Sequence, residues 1–149
     1  MDALWPDDFV WKDALGKPAD WGKAGIVMFF NLECPACISR GIPLLKRIHQ
    51  EHAEKFQLML IHTSFGHKRY TRDEVVPTLK HFAESFARLP FPIALDLSGK
   101  IAEHYEAGGT PHWLIFNAKG ELTRSLYGSQ ENTQTRLEYL LEELAEKTP

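Results

Sequence analysis

The sequence predicts an α/β fold, a three-layer α/β/α sandwich around a mixed central sheet, on three observations. The chain has 149 residues, 44% hydrophobic and 25% charged, which suits one ordinary domain whose core needs no disulfide staples. Short apolar runs of strand character alternate with segments whose apolar residues recur at helical spacing. Near the end, two strand-like runs flank a glycine-containing loop, the pattern of a hairpin. Residues 1–149 read as a single domain, with 1–22 an N-terminal extension that caps one edge.

The extension carries Trp5, Trp11 and Trp21 among proline and glycine, which suggests irregular chain with a short helix around Asp8 to Leu15. Ile26 to Phe30 has the length and β-rich character of a buried strand. From Pro35 to about His52, Ile38, Ile42, Leu45 and Ile48 recur near helical spacing, and Pro35 suits the first turn. Phe56 to Ile61 predicts a second strand. Thr63 to Tyr70 reads as a polar loop, before a helical stretch to about Leu89 that Pro77 interrupts or starts. Phe91 to Leu95 predicts a strand ending at Asp96, with Ser98 as N-cap of a helix through Tyr105. After a turn at Gly108 to Pro111, Trp113 to Phe116 and Leu122 to Leu126 form the hairpin. Glu131 to Lys147 gathers Leu137, Leu140, Leu141 and Leu144 on one side of a final helix, whose acidic residues are its wet side. The order is βαβ, an inserted helix, then βαββα.

Seventeen Lys and Arg against 20 Asp and Glu leave a net charge of -3, which offers no basic field for nucleic acid. The N-terminus shows no basic stretch followed by an apolar one, and no apolar run approaches membrane-spanning length. The expectation is a soluble, cytoplasmic protein with no membrane segment.

The two cysteines, Cys34 and Cys37, are three positions apart. A bond between them closes a tiny loop and restricts an unfolded chain little, so their purpose is chemical. Cys34-Pro35-Ala36-Cys37 follows a buried strand and opens a helix. A helix N-terminus presents unpaired N–H groups and a positive dipole end, which favour the thiolate that attacks disulfides. Cys34 is expected to attack, and Cys37, about one turn deeper, to resolve the mixed disulfide. Pro35 restricts the backbone between them. Glu33, a carboxylate beside Cys34, disfavours the thiolate and leans the couple toward reductant.

A structural zinc site needs about four ligands, so histidines would have to complete one. None of the seven pairs with the cysteines in sequence, and proximity in the fold stays open for His62, His67 and His112. A metal-binding or metal-delivery protein using Cys34, Cys37 and a histidine such as His112 therefore stands as an alternative. A redox-controlled interaction module that docks partners without turnover is another. A C-x-x-C beside a βαβ pattern favours redox chemistry over both, and no cofactor is expected.

With Thr110-Pro111 some seventy residues further on, the Cys34 to Cys37 motif resembles the thioredoxin superfamily, nearest its TlpA-like branch, over about Gly22 to Leu144. Ile26 to Cys34, Leu58 to Thr63, Phe91 to Asp96 and Gly109 to Gly120 carry the likeness. It implies a thioredoxin-like core and a protein-disulfide oxidoreductase whose partners are protein disulfides or dithiols and a redox partner. It also implies that Pro111 is cis and faces the cysteines, with Thr110 and Pro111 holding an extended partner segment.

Departures from the family are legible too. Glu33 replaces a frequent aromatic, Met28 stands where thioredoxins carry a buried aspartate six residues before the first cysteine, and Asn31 stands where peroxiredoxins place a threonine. Pro43 lies one residue further from Cys34 than the family's helix-kinking proline, with Gly41 nearby, so a local bulge is expected. Three further groups invite a role. His112 is a candidate modulator as a proton carrier, Arg40 a candidate counter-charge for Glu33, and Phe65 to Tyr70 a candidate partner-recognition loop.

Overall fold

The computed structural model describes residues 20–52, 54–64, 71–86, 88–128 and 130–147. The short helix expected around Asp8 to Leu15, most of the capping extension and the loop at Phe65 to Tyr70 lie outside the described residues. Five strands form one sheet: β1 (Ala24–Phe30), β2 (Phe56–Thr63), β3 (Ile93–Asp96), β4 (His112–Phe116) and β5 (Leu122–Tyr127). Their order is β3-β2-β1-β4-β5. β1, β2 and β3 run parallel, and β4 and β5 are antiparallel additions, so the sheet is mixed as expected.

The helices are α1 (Ile42–His52), α2 (Arg72–His81), α3 (Lys100–His104) and α4 (Glu131–Lys147). β1 is buried along its whole length because both its faces are covered. Alternation sends Ile26, Met28 and Phe30 to the face packed by Leu45 and Ile48 of α1, Leu79 of α2, and Leu137 and Leu141 of α4. Val27 and Phe29 point the other way, onto Ile101, Ala102 and Tyr105. The result is three layers, and an exposed ion pair between Arg47 and Glu138 ties α1 to α4. No helix among the described residues is long and apolar enough to cross a membrane.

Two local expectations are corrected. Pro77 neither starts nor interrupts α2 but lies inside it: Thr71 is the N-cap, its hydroxyl accepting the Glu74 amide at 3.3 Å. The helix then runs into a π turn at Phe82–Phe86. Ser98 is not the N-cap of α3. Gly99 occupies that position at φ 77°, and the buried Asp96 carboxylate reaches back from the end of β3 to accept the Ile101 and Ala102 amides at 3.1 and 3.0 Å. The Ser98 hydroxyl still accepts the first amide, that of Lys100, at 3.3 Å, and the carboxylate on the next two is the stronger, charge-assisted arrangement.

Trp21 lies edge-on to Phe116, ring centroids 6.4 Å apart, and covers Gly25 in β1. A Cβ built on Gly25 would fall 1.8 Å from the indole. Gly25→Ala must therefore displace the ring, and we expect a loss of about 1–3 kcal/mol in urea unfolding. An unchanged midpoint would show that Trp21 does not hold this place.

Candidate active site

β1 ends at Phe30, residues 31–34 turn the chain, and helix begins at residue 35. Asn31 organises the turn. Its side-chain oxygen accepts the Glu33 amide at 2.8 Å, its carbonyl accepts the Cys34 amide at 3.0 Å, and its side-chain amide donates to the Thr63 carbonyl at 2.8 Å. An asparagine bonding to the backbone two residues on is an Asx turn. An asparagine closing an apolar strand is the sequence signal for it.

Beneath the turn lies His62 of β2, 1% exposed. Its Nε2 accepts the Leu32 amide at 3.3 Å and its ring meets Phe30 edge-on at 5.3 Å. An accepting Nε2 on a neutral ring leaves the proton on Nδ1. Burial brings the His62 pKa down to about 4, against a smaller upward pull from the Glu33 carboxylate. At neutral pH an uncharged imidazole supports the segment leading into Cys34.

Both cysteines are free thiols, Cys34 half-buried and Cys37 fully buried. The Cys37 amide donates to the Cys34 sulfur at 3.3 Å, and the Cys34 thiol donates to the Thr110 carbonyl at 3.5 Å. The first sulfur thus sits between a donor at the helix start and an acceptor on the opposite loop. Burial pushes the Cys37 thiol up to about 12, helped by its hydrogen bond with the Cys34 sulfur. Hydrogen bonds with the Thr110 side chain and the Asn31 backbone pull the other way. One sulfur is reachable; the other is sealed and holds its proton.

The Thr110–Pro111 peptide bond is cis. Gly128, just past β5, clamps this loop: its amide donates to the Pro111 carbonyl at 2.9 Å, and the Trp113 indole donates to its carbonyl at 2.9 Å. The helix meets the loop at Gly41, where an added Cβ would fall 2.9 Å from Met28 Sδ and 3.5 Å from Pro111 Cβ. Cys37–Gly41 forms a π turn in which the Ile42 amide reaches back five residues to the Cys37 carbonyl. Pro43 has no N–H for the carbonyl four residues earlier and its ring would crowd it, and the wider turn relieves both. The bulge expected from Pro43 and Gly41 is this turn.

His112 does not join the sulfurs. Its neighbours Trp113 and Ile115 alternate between faces of the sheet with Leu114 and Phe116, which puts the His112 ring on the α3 side beside Phe29 and Tyr127. Its Nε2 lies 2.6 Å from Ser125 Oγ. A modulating role through direct approach to the dithiol is thereby corrected, and with it the idea of His112 as a third ligand. The Nε2 of His62 is occupied by the Leu32 amide, and His67 lies outside the described residues. Among those residues no three His, Cys, Asp or Glu side chains are grouped to hold a metal ion. Glu33 and Pro35 are exposed beside Cys34. Arg40, also exposed, makes no ion pair with Glu33 or with any other described residue.

No protein-family model matches the chain, and no curated protein matches it significantly. Among solved structures, a thiol-disulfide isomerase from Corynebacterium glutamicum is 26% identical, over 97% of this chain and 94% of that one, with a TM-score of 0.79. The chain is a member of the thioredoxin superfamily. A further thioredoxin-like superfamily protein is 25% identical over 83% of this chain and 80% of its own, TM-score 0.71. StoA from Bacillus subtilis, 22% identical over 80% and 83%, TM-score 0.61, shares the fold. Within this thioredoxin-like frame, Met28 is fully buried against Gly41, so β1 supplies no carboxylate beneath the dithiol.

Proposed function

We propose that the chain is a protein thiol–disulfide oxidoreductase that reduces or exchanges disulfides in partner proteins through Cys34 and Cys37. One observation carries this reading: a half-exposed sulfur held between the Cys37 amide and the Thr110 carbonyl, with the second thiol sealed behind it. The Corynebacterium protein's description as a thiol-disulfide isomerase supports it.

The Cys34 thiolate attacks one sulfur of the partner's disulfide. That S–S bond breaks, a mixed disulfide forms, and the leaving thiolate takes a proton from solvent. The Thr110 carbonyl, released from the Cys34 thiol, then faces the partner backbone. Cys37 loses its proton and attacks the Cys34 sulfur, which closes the internal disulfide and expels the partner's second thiolate. The part of the Cys37 rise that comes from Cys34 as a thiol or thiolate vanishes in the mixed disulfide, which eases this proton loss while burial still opposes it. Two electrons pass to the partner, and an external thiol or dithiol reductant returns them.

Titration against a glutathione series, followed by mass spectrometry, tests the proposal. We expect a chain lighter by two hydrogens, with the Cys34 and Cys37 peptides crosslinked, to form in step with reduction of a disulfide-bonded substrate such as insulin. Two sulfurs that never pair across the series would sink it.

A further inference from the structure

A groove leads away from the dithiol between the start of the active-site helix and the end of β5. Ala36, Arg40, Thr110, Pro111, Tyr127 and Asn132 are among the residues that line it. It adjoins the dithiol: Thr110, which lines it, accepts the Cys34 thiol at 3.5 Å, and Ala36 lies between the two cysteines. Among the described residues along it, Arg40 carries the one charged side chain. That guanidinium is exposed and has no ion-pair partner among the described residues. Tyr127, 64% exposed, forms a wall whose position is set by Gly109: a Cβ there would fall 2.9 Å from the phenol ring.

The π turn explains why Arg40 is here. One extra residue in a helix rotates the turn before it by roughly 100° relative to the turn after it. Gly41 lets the widened turn press against Pro111, and the neighbouring Arg40 enters the groove. We infer that Arg40 and Tyr127 form a specificity subsite that selects partner segments carrying a carboxylate within two or three residues of the attacked cysteine. The inference rests on the oxidoreductase reading and deepens it. A segment laid along Thr110 has its next side chains in this groove, where a planar guanidinium beside an aromatic wall suits Asp or Glu.

Two disulfide peptides identical except for Asp or Lys beside the cysteines test the inference, alongside hydroxyethyl disulfide as an uncharged probe. The readout is the ratio of kcat/KM for the acidic over the basic peptide within each chain, which cancels any general effect on the dithiol. Arg40→Glu should lower that ratio about tenfold relative to wild type, the size of gaining and losing one exposed charge pair, with Arg40→Gln intermediate and Arg40→Lys close to wild type. The differences should shrink at about 0.5 M salt. A ratio equal in wild type, Arg40→Gln and Arg40→Glu, with hydroxyethyl disulfide still reduced, overturns the subsite alone. A wild-type chain that fails on hydroxyethyl disulfide overturns the oxidoreductase reading and the subsite with it.

Discussion

Cys34→Ser should lower disulfide reduction on the order of a thousandfold or more, while Cys37→Ala should retain the first attack and accumulate a covalent adduct with its partner. The contrast comes from the two environments. Cys34 is the sulfur a partner can reach, and a serine hydroxyl there neither ionises near neutral pH nor forms an S–S bond. Cys37 is fully buried, and removing it leaves the exposed chemistry intact but nothing to attack the mixed disulfide. The small void at Cys37→Ala should cost about 1 kcal/mol, too little to unfold the chain. Non-reducing gels and intact mass read both outcomes. A Cys34→Ser chain that still turned over would remove Cys34 from the role of nucleophile.

Acid should destabilise the chain by about 3 kcal/mol between pH 6.5 and pH 4 through His62 alone, the linkage equivalent of its lowered pKa. The folded value lies below the unfolded one, so the stabilisation is fully present above 6.5 and is lost as pH falls toward 4. Over that interval the unfolded imidazole takes up a proton that the buried one resists. His112, also lowered by burial, acts in the same direction, so His62→Gln should flatten the pH dependence without abolishing it. Glutamine supplies an oxygen near Nε2 to accept the Leu32 amide, which keeps the turn while removing the titration. Urea unfolding of both chains from pH 4 to 7 measures the difference. Identical slopes would show that His62 does not couple to folding.

The strands and their succession along the chain were legible because central strands buried on both faces leave unbroken apolar runs such as Ile26 to Phe30, the β4–β5 hairpin announces itself by its glycine-containing loop, and the final helix leaves a clear leucine stripe. The dithiol was legible because its chemistry is local: a strand, a turn and a helix start within four residues. The displaced Pro43 with Gly41 likewise foretold a distortion. What escaped depended on contacts between distant residues. Nothing near Ser98 says that Asp96 will take the Ile101 and Ala102 amides beside it. His112 adjoins Pro111 in sequence, but the face its ring occupies is set by the pairing of β4 with β1. His62 shows its use only once residue 32 is brought over it, thirty positions away.

The rim that holds the first sulfur is assembled from the ends of β1 and β2 and the beginning of β4, three stretches that meet because β1 has one parallel and one antiparallel neighbour. A nascent or truncated chain ending before residue 110 would carry both cysteines yet lack the carbonyl that faces Cys34. The hydrogen bond from the Cys34 thiol to that carbonyl is thus a mark of completed folding, absent until β4 has docked.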